Sequence, residues 1–234
     1  MAEDTAGLSR SVEDYLKAIY SLCATETVAS TSAIAEALEV QPASVTGMVK
    51  RLAESGFAEH VPYRGVQLTE AGTREALRIL RRHRILETYL TERLGYPWED
   101  VHREAERLEH AASDQLIERM ASALENPSHD PHGAPIPTPS GEIEDTDSST
   151  LLYLASGDEA HVRAVRDDDA DALKNAEAAG LFPGKHILVL GRDAEKGVIR
   201  VEVEPPDGVR AEVPFKSADR VYVVPVWNRD RKSP

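Results

Sequence analysis

Histidines and carboxylates set at helical intervals are the residues in this chain whose types and spacing suit chemistry. His83 and Glu87 lie four apart, and His102, Glu106 and His110 continue the same interval, with Glu109 beside His110. On a helix of 3.6 residues per turn, positions 102, 106, 109 and 110 share one face. Two imidazoles and two carboxylates gathered there form a nitrogen and oxygen ligand set for a divalent ion. The competing reading is a solvated helix face, where Glu/His pairs at this interval are common. Six candidates on two adjoining helices strengthen the metal reading, and the rest of the chain has to decide.

The elements that must position these groups run from about Leu77 to Leu124. The pattern predicts two amphipathic helices joined across Gly95-Tyr96-Pro97. Leu80, Leu86, Leu90 and Leu94 mark the apolar stripe of the first, and Val101, Leu108, Leu116, Ile117, Met120 and Leu124 that of the second.

Upstream, SRSVEDYLKAIYSLC at 9–23 reads as a helix capped by Ser9 or Ser11, with Glu13 and Asp14 in its favourable first turns. Thr31-Ser32 opens a second helix, and Pro42 suits the first position of a third, which stops at Gly56. Val45, Met48, Val49 and Leu52 are its expected inner face. A short helix, a tight turn and a longer helix form a helix-turn-helix, with Ser44, Thr46 and Lys50 outward and Gln41 at the entrance. Such groups reach base edges and phosphates in a major groove; Thr31 and Pro42, at the two helix starts, complete the candidate DNA-facing set. FAEHVPYRGVQLTEAG then predicts a hairpin turning at Tyr63-Arg64-Gly65, with Arg64 at its tip. Arg74, Arg78, Arg81, Arg82 and Arg84 follow on the next helix, either bridging toward DNA or forming a solvated charged face.

Downstream, ENPSHDPHGAPIPT at 125–138 holds four prolines and ends regular structure. His129 and His132 read there as surface or loop-packing residues. Residues 151–226 change texture: short runs rich in β-branched residues, broken by Gly, Pro and Asp, predict a small bent barrel of about five strands around Val198, Val201 and Val203. One helix interrupts it, and of the aspartates 167–169 and 171 at its start, capping accounts for one or two.

The totals bound the answer. The chain has 234 residues, 41% hydrophobic and 29% charged, enough for one large domain or two to three small ones with adequate core material. No apolar run approaches the roughly 20 residues that span a bilayer, and the acidic start MAEDTAGLSRSVEDY is unlike a secretory signal. Cys23 is the only cysteine, so no internal disulfide forms, and a cytoplasmic setting is expected. A net charge of −14 argues at first against nucleic acid, but residues 1–84 hold 10 Lys/Arg against 11 Asp/Glu, whereas residues 85–144 hold 4 against 13. The acid excess therefore falls on the proposed ligand helices, where a cation offsets it.

In this order, SVEDYLKAIY at 11–20, AIAEALEVQPASVTGMVKRLAESG at 33–56, RGVQLTEAG at 64–72, RRHRILETYL at 81–90, WEDVHREAERLEHAASD at 98–114 and NPSHDPHGAPIP at 126–137 resemble the diphtheria toxin repressor family of metal-dependent regulators. The resemblance covers nearly the whole chain. It implies a multi-domain, mainly α protein: a winged helix-turn-helix over 1–74, a helical metal-binding and dimerisation domain over 75–140, a linker at 141–150 and a small all-β, SH3-like (FeoA-like) barrel over 151–234. It also implies a regulatory site of Asp14, Glu106, Glu109 and His110, and a second site of His83, Glu87 and His102, with Asp169 matching a glutamate that reaches over from the SH3-like domain. Asp14 stands where the iron-type branch has methionine, and Glu106 where it has cysteine. Carboxylates in place of thioether and thiolate favour a harder ion such as Mn²⁺ over soft-ligand metals, with Fe²⁺, which shares most of these ligands, as the alternative. Lys17 stands where manganese-type members without the third domain carry a glutamate, which points to separated sites.

The implied function is a homodimeric, Mn²⁺- or Fe²⁺-activated repressor of metal-uptake genes that binds an inverted-repeat operator in double-stranded DNA. The alternative from another class is a metal hydrolase or metal-buffering protein using the same cluster. An enzyme needs an open coordination position and its own acid or base, and the chain holds no HExxH, phosphate loop or nucleophile elbow.

Overall fold

A computed structural model describes residues 8–24, 27–61, 64–145, 149–167, 169–206 and 208–226. They form two compact units. One comprises residues up to 83 with 107–117 and 137–143; the other comprises 84–106, 118–136 and 144 onward.

The first unit begins with α1 (Arg10–Cys23), α2 (Thr31–Ala37) and α3 (Pro42–Glu54). Leu16 and Ile19 of α1, Ile34 of α2, and Val45 and Leu52 of α3 recur at helical spacing and bury themselves in one core. Ser9 occupies the N-cap of α1 but makes no side-chain capping bond, while Ser30 caps α2 by accepting from the Ala33 N–H at 3.1 Å. A cap of that kind contributes about 1 kcal/mol. Pro42 takes the first turn of α3, as its missing N–H permits. Met48 is only half-buried, on the flank of the stripe rather than in it.

The wing is β1 (Ala58–Val61) paired antiparallel with β2 (Gly65–Leu68). Ala29 adds a one-residue bridge to Val66, so the segment before α2 is held at the sheet edge. A side chain at Gly65 would put its Cβ 2.1 Å from the Ala29 carbonyl oxygen, and Gly65 has φ +137°; the bridge therefore requires glycine. Tyr63 of the expected turn lies outside the described residues. The Cys23 thiol is half-buried beside the Val66 carbonyl, and burial pushes its pKa up, as befits a packing thiol.

Helix α4 (Glu70–Leu94) is the longest, followed by α5 (Val101–Leu108) and α6 (Asp114–Ala123). The expected second amphipathic helix is thus two helices. Residues 109–113 form a turn, and Ser113 receives the Leu116 N–H at 3.3 Å and the Ile117 N–H at 3.1 Å, starting α6 afresh. Arg74 is exposed and pairs with Glu70, as a solvated face requires, but Arg81, Arg82 and Arg84 match neither reading offered for them. Arg81 and Arg82 are buried, Arg81 donating to the Pro137 carbonyl and Arg82 to Asp114. Arg84 donates to the Pro135 carbonyl. They tie chain segments together instead of facing DNA or solvent.

The second unit carries β3 (Ser149–Thr150), β4 (Glu159–Val165), α7 (Ala170–Ala178), β5 (His186–Asp193), β6 (Val198–Val203), β7 (Val209–Pro214), α8 (Phe215–Ala218) and β8 (Val221–Pro225). Six strands form one antiparallel sheet in the order β3-β8-β4-β5-β6-β7, bent by register shifts at Val162/Ala164 and Val189/Gly191. The apolar run LLYLA at 151–155, which reads as a strand, instead begins with a 3₁₀ turn at Leu151–Tyr153, and only the two residues before it pair as β3. Ile199, Val201 and Val203 alternate into the core, whereas Val198, one residue out of phase, is only half-buried.

Candidate metal centres

Two groups of ligand-capable side chains emerge, one within each unit. In the first unit, Asp14 from α1 meets Glu109 and His110 from the turn after α5, with one ligand atom from each lying within 4.8 Å of the others. His110 Nε2 is 2.9 Å from Asp14 Oδ1 and 3.3 Å from Glu109 Oε1. Its other ring nitrogen, Nδ1, is 2.6 Å from Glu13 Oε2. Glu109 is fully buried, with Oε1 2.7 Å from Lys17 Nζ and Oε2 2.5 Å from His83 Nδ1. Burial alone would raise its pKa, but the hydrogen bonds and positive charge of His83 and Lys17 hold it below the ordinary carboxylate range.

In the second unit, Glu87 of α4, Asp130 and His132 of the proline-rich loop, and Asp167 after β4 form the other group, again with ligand atoms within 4.8 Å of one another. Glu87 and His132 have no exposed surface. Asp130 Oδ1 accepts the His132 and Ala134 N–H groups, both at 2.9 Å, and its Oδ2 lies 3.4 Å from Arg84 Nε. Burial and the nearby Glu87 charge raise the Asp130 pKa to about 7 against the pull of Arg84. A side chain at Gly133, φ +87°, would bring its Cβ within 2.1 Å of the Arg163 carbonyl oxygen, so the loop keeps its close seat on β4 only with glycine there.

His132 fits a cation site by its tautomer. Its Nε2 lies 3.0 Å from the Trp98 carbonyl oxygen, which only accepts, so Nε2 carries the hydrogen. The lone pair is then on Nδ1, which is buried and finds no hydrogen-bond partner among the described residues. A buried, unsatisfied acceptor beside three carboxylates is costly unless something electropositive meets it. Trp98 packs against the ring with centroids 4.9 Å apart and keeps it in this orientation.

His102 belongs to the same neighbourhood, with Nδ1 3.1 Å from Glu87 Oε1 and 3.4 Å from Asp167 Oδ2. Burial opposes its charged form, but hydrogen bonds and charges from Asp167 and Glu87 prevail and raise its pKa to about 11. Glu106 lies 3.8 Å from His102 Nε2.

The helical-spacing argument therefore needs correction. Positions 102 and 106 share the face of α5, but α5 ends at Leu108, and the turn takes Glu109 and His110 to α1. Asp169 is also displaced from its expected role. It caps α7, accepting from the Asp171 and Ala172 N–H groups at 3.0 and 3.1 Å, and pairs with Lys216 at 2.8 Å. Asp167, two residues earlier, takes the place beside His102. His132, read from sequence as packing, and Asp130, read as loop, join the second group; only their neighbours in space mark them, because loop spacing carries no periodic signal.

The candidate DNA-facing residues Gln41, Pro42, Ser44, Thr46 and Lys50 are exposed along one side of α3, Arg64 is exposed at the wing, and Thr31 is half-buried. The Thr46 hydroxyl donates to the Pro42 carbonyl at 3.2 Å, and Lys50 stands 3.8 Å from Glu54.

Residues 7–66 match the iron-dependent repressor N-terminal DNA-binding domain, residues 69–138 its metal-binding and dimerisation domain, and residues 150–225 the FeoA domain. The iron-dependent repressor IdeR of Mycobacterium leprae is 30% identical over 224 residues, 90% of this chain and 95% of its own. The chain belongs to the iron-dependent repressor family. IdeR of Mycobacterium tuberculosis is 32% identical over 190 residues, covering 76% of this chain and 82% of that one. Among solved structures, a manganese-dependent transcriptional repressor in complex with manganese superposes with a TM-score of 0.82 at 36% identity, over 92% of this chain and all of that one. These relatives are repressors, so the hydrolase or buffering alternative is not favoured. No helix among the described residues is long and apolar enough to cross a membrane.

Proposed function

We propose that this chain is a Mn²⁺-activated repressor acting in the cytoplasm as a homodimer on an inverted-repeat operator, with Fe²⁺ as the competing activator. The observation that carries the reading is Asp14 of α1 standing 2.9 Å from His110 Nε2 and in one group with Glu109. The donor set is oxygen and imidazole nitrogen with no sulfur, which suits a hard divalent ion. When bound there, the ion supplies positive charge that two carboxylates and an imidazole share.

Asp14 lies on the first helix of the DNA reader, and Glu109 and His110 lie on the helical segment assigned to dimerisation. Drawing these side chains to a common partner fixes α1 and thereby favours one spacing of the paired recognition helices. In this reading residues 1–74 read DNA, 75–140 bind metal and dimerise, and 151–234 form the SH3-like domain, which contributes Asp167 to the second group. Exposed Gln41, Ser44 and Thr46 set base preference, while Lys50 and Arg64 contact phosphates.

The test titrates Mn²⁺, Fe²⁺, Co²⁺ and Zn²⁺ against a labelled inverted-repeat fragment, with His110→Ala alongside the wild type. Affinity should rise with Mn²⁺ in the wild type alone; equal affinity in chelator would sink the reading. Lys50→Ala and Arg64→Ala should each lower the slope of log affinity against log salt by about 1.

A further inference from the structure

Glu13 belongs to neither ligand group, yet it is 4% exposed, an unusual burial for a carboxylate. Its Oε2 lies 2.6 Å from His110 Nδ1, and its Oε1 lies 3.6 Å from Arg82. Arg82 donates to Asp114 Oδ1 through Nε at 3.0 Å and a terminal nitrogen at 2.7 Å. A line of four side chains therefore runs from the start of α6 through α4 and α1 to the imidazole. Glu13 is held at one end by a guanidinium that is itself held, so its carboxylate has little freedom to leave the ring.

Both ring nitrogens face carboxylates, but only Nδ1 makes a hydrogen bond, to Glu13, whereas Nε2 makes none among the described residues. A carboxylate oxygen accepts in that bond, so the hydrogen belongs on Nδ1 and the lone pair on Nε2, the atom facing Asp14 and Glu109. We infer that Glu13 is the positioning residue of the first metal group: it fixes the Nδ1–H tautomer and ring orientation of His110 and, by its charge, makes Nε2 a stronger donor. Carboxylates behind ligating histidines act in this way generally, and removing one weakens metal affinity about 10- to 100-fold. This inference rests on the reading of Asp14, Glu109 and His110 as ligands. Sequence alone assigns Glu13 a different task, since an acid in the first turn of a helix is explained by the helix dipole.

The experiment compares wild type, Glu13→Gln and Glu13→Leu by Mn²⁺ calorimetry and, on the ion-free protein at mildly alkaline pH, by the ring nitrogen shifts of ¹⁵N-labelled His110. Wild type should show hydrogen on Nδ1. Glu13→Leu should lose that single tautomer and bind Mn²⁺ about 10- to 100-fold more weakly. Glu13→Gln should keep the tautomer through its amide oxygen and lose less affinity, a split that a merely structural role would not produce. An unchanged tautomer in Glu13→Leu, or hydrogen on Nε2 in the wild type, overturns the inference. Should Glu13→Leu fail to fold, Glu13→Gln decides: Mn²⁺ affinity within twofold of wild type counts against Glu13. Wild type that binds no Mn²⁺ refutes the ligand assignment instead, while its tautomer still reports on Glu13.

Discussion

The two ligand groups are made of the same side-chain types but are assembled differently. The Asp14, Glu109 and His110 group draws on a helix and the turn that follows another helix, and Glu13, Lys17 and His83 brace it. The Glu87, Asp130, His132 and Asp167 group takes one ligand from a helix and three from loops, with Trp98 and backbone N–H groups as braces. In the proposed function the first is built from elements that the regulator has to move. The second is built where chain segments are knit by the half-buried Arg84 and loop hydrogen bonds. The difference teaches that, in the proposed function, similar donors serve switching in one place and anchoring in the other.

The largest expected effect separates these roles. His110→Ala should abolish Mn²⁺-dependent operator binding, a loss of about 100-fold or more, whereas His132→Ala should lose only part of the activation. Operator titration in excess Mn²⁺ measures both, and equal losses would erase the distinction. Next, His102 and His132 both approach the carboxylates of Glu87 and Asp167. Because His102 Nδ1 already hydrogen-bonds Glu87 whereas His132 Nδ1 is buried with no hydrogen-bond partner among the described residues, His132→Ala should weaken the second ion about 10- to 100-fold and His102→Ala distinctly less. Calorimetric stoichiometry that drops with His102→Ala alone reverses the assignment.

Softness of the donor gives a smaller effect. Glu106→Cys should raise affinity for Co²⁺ and Ni²⁺ relative to Mn²⁺ by roughly tenfold if Glu106 reaches an ion. An unchanged ranking places Glu106 with His102, where its 3.8 Å approach already puts it. The smallest effect concerns pH. Glu109 has a folded-state pKa below its unfolded value, so its stabilising contribution is present above the unfolded pKa and lost as pH falls through the folded one. In chelator, the Tm difference between wild type and Glu109→Gln should therefore shrink as the solution is acidified below about pH 4. A constant difference would show that His83 and Lys17 do not stabilise the carboxylate.

Much of the fold was legible because periodicity reports burial. The stripes of α1, α3 and α4 and the alternation of β5 to β8 follow directly from which side chains leave water. The misreadings occurred where that signal stops. One continuous helix was expected over 98–124, although Ala112-Ser113-Asp114 carries a capping residue and an acidic first turn, and that local signal would have split it. Nothing comparable marked Asp167 over Asp169. Both are short acids before a helix, and which one caps depends on where the backbone turns.

Residue order alone determined the family, the succession of reader, ligand-bearing helices and β-rich domain, and the choice of oxygen and imidazole donors, since each is written in side-chain type and local spacing. Tertiary structure decided which donors meet. It carried Glu109 and His110 past the end of α5 to α1, set Glu13 behind the His110 ring and turned His132 inward against Trp98. Such meetings join residues separated by up to 97 positions, as Glu13 and His110 are, and no local pattern encodes them. They are fixed when the chain packs and most buried polar atoms find their partners.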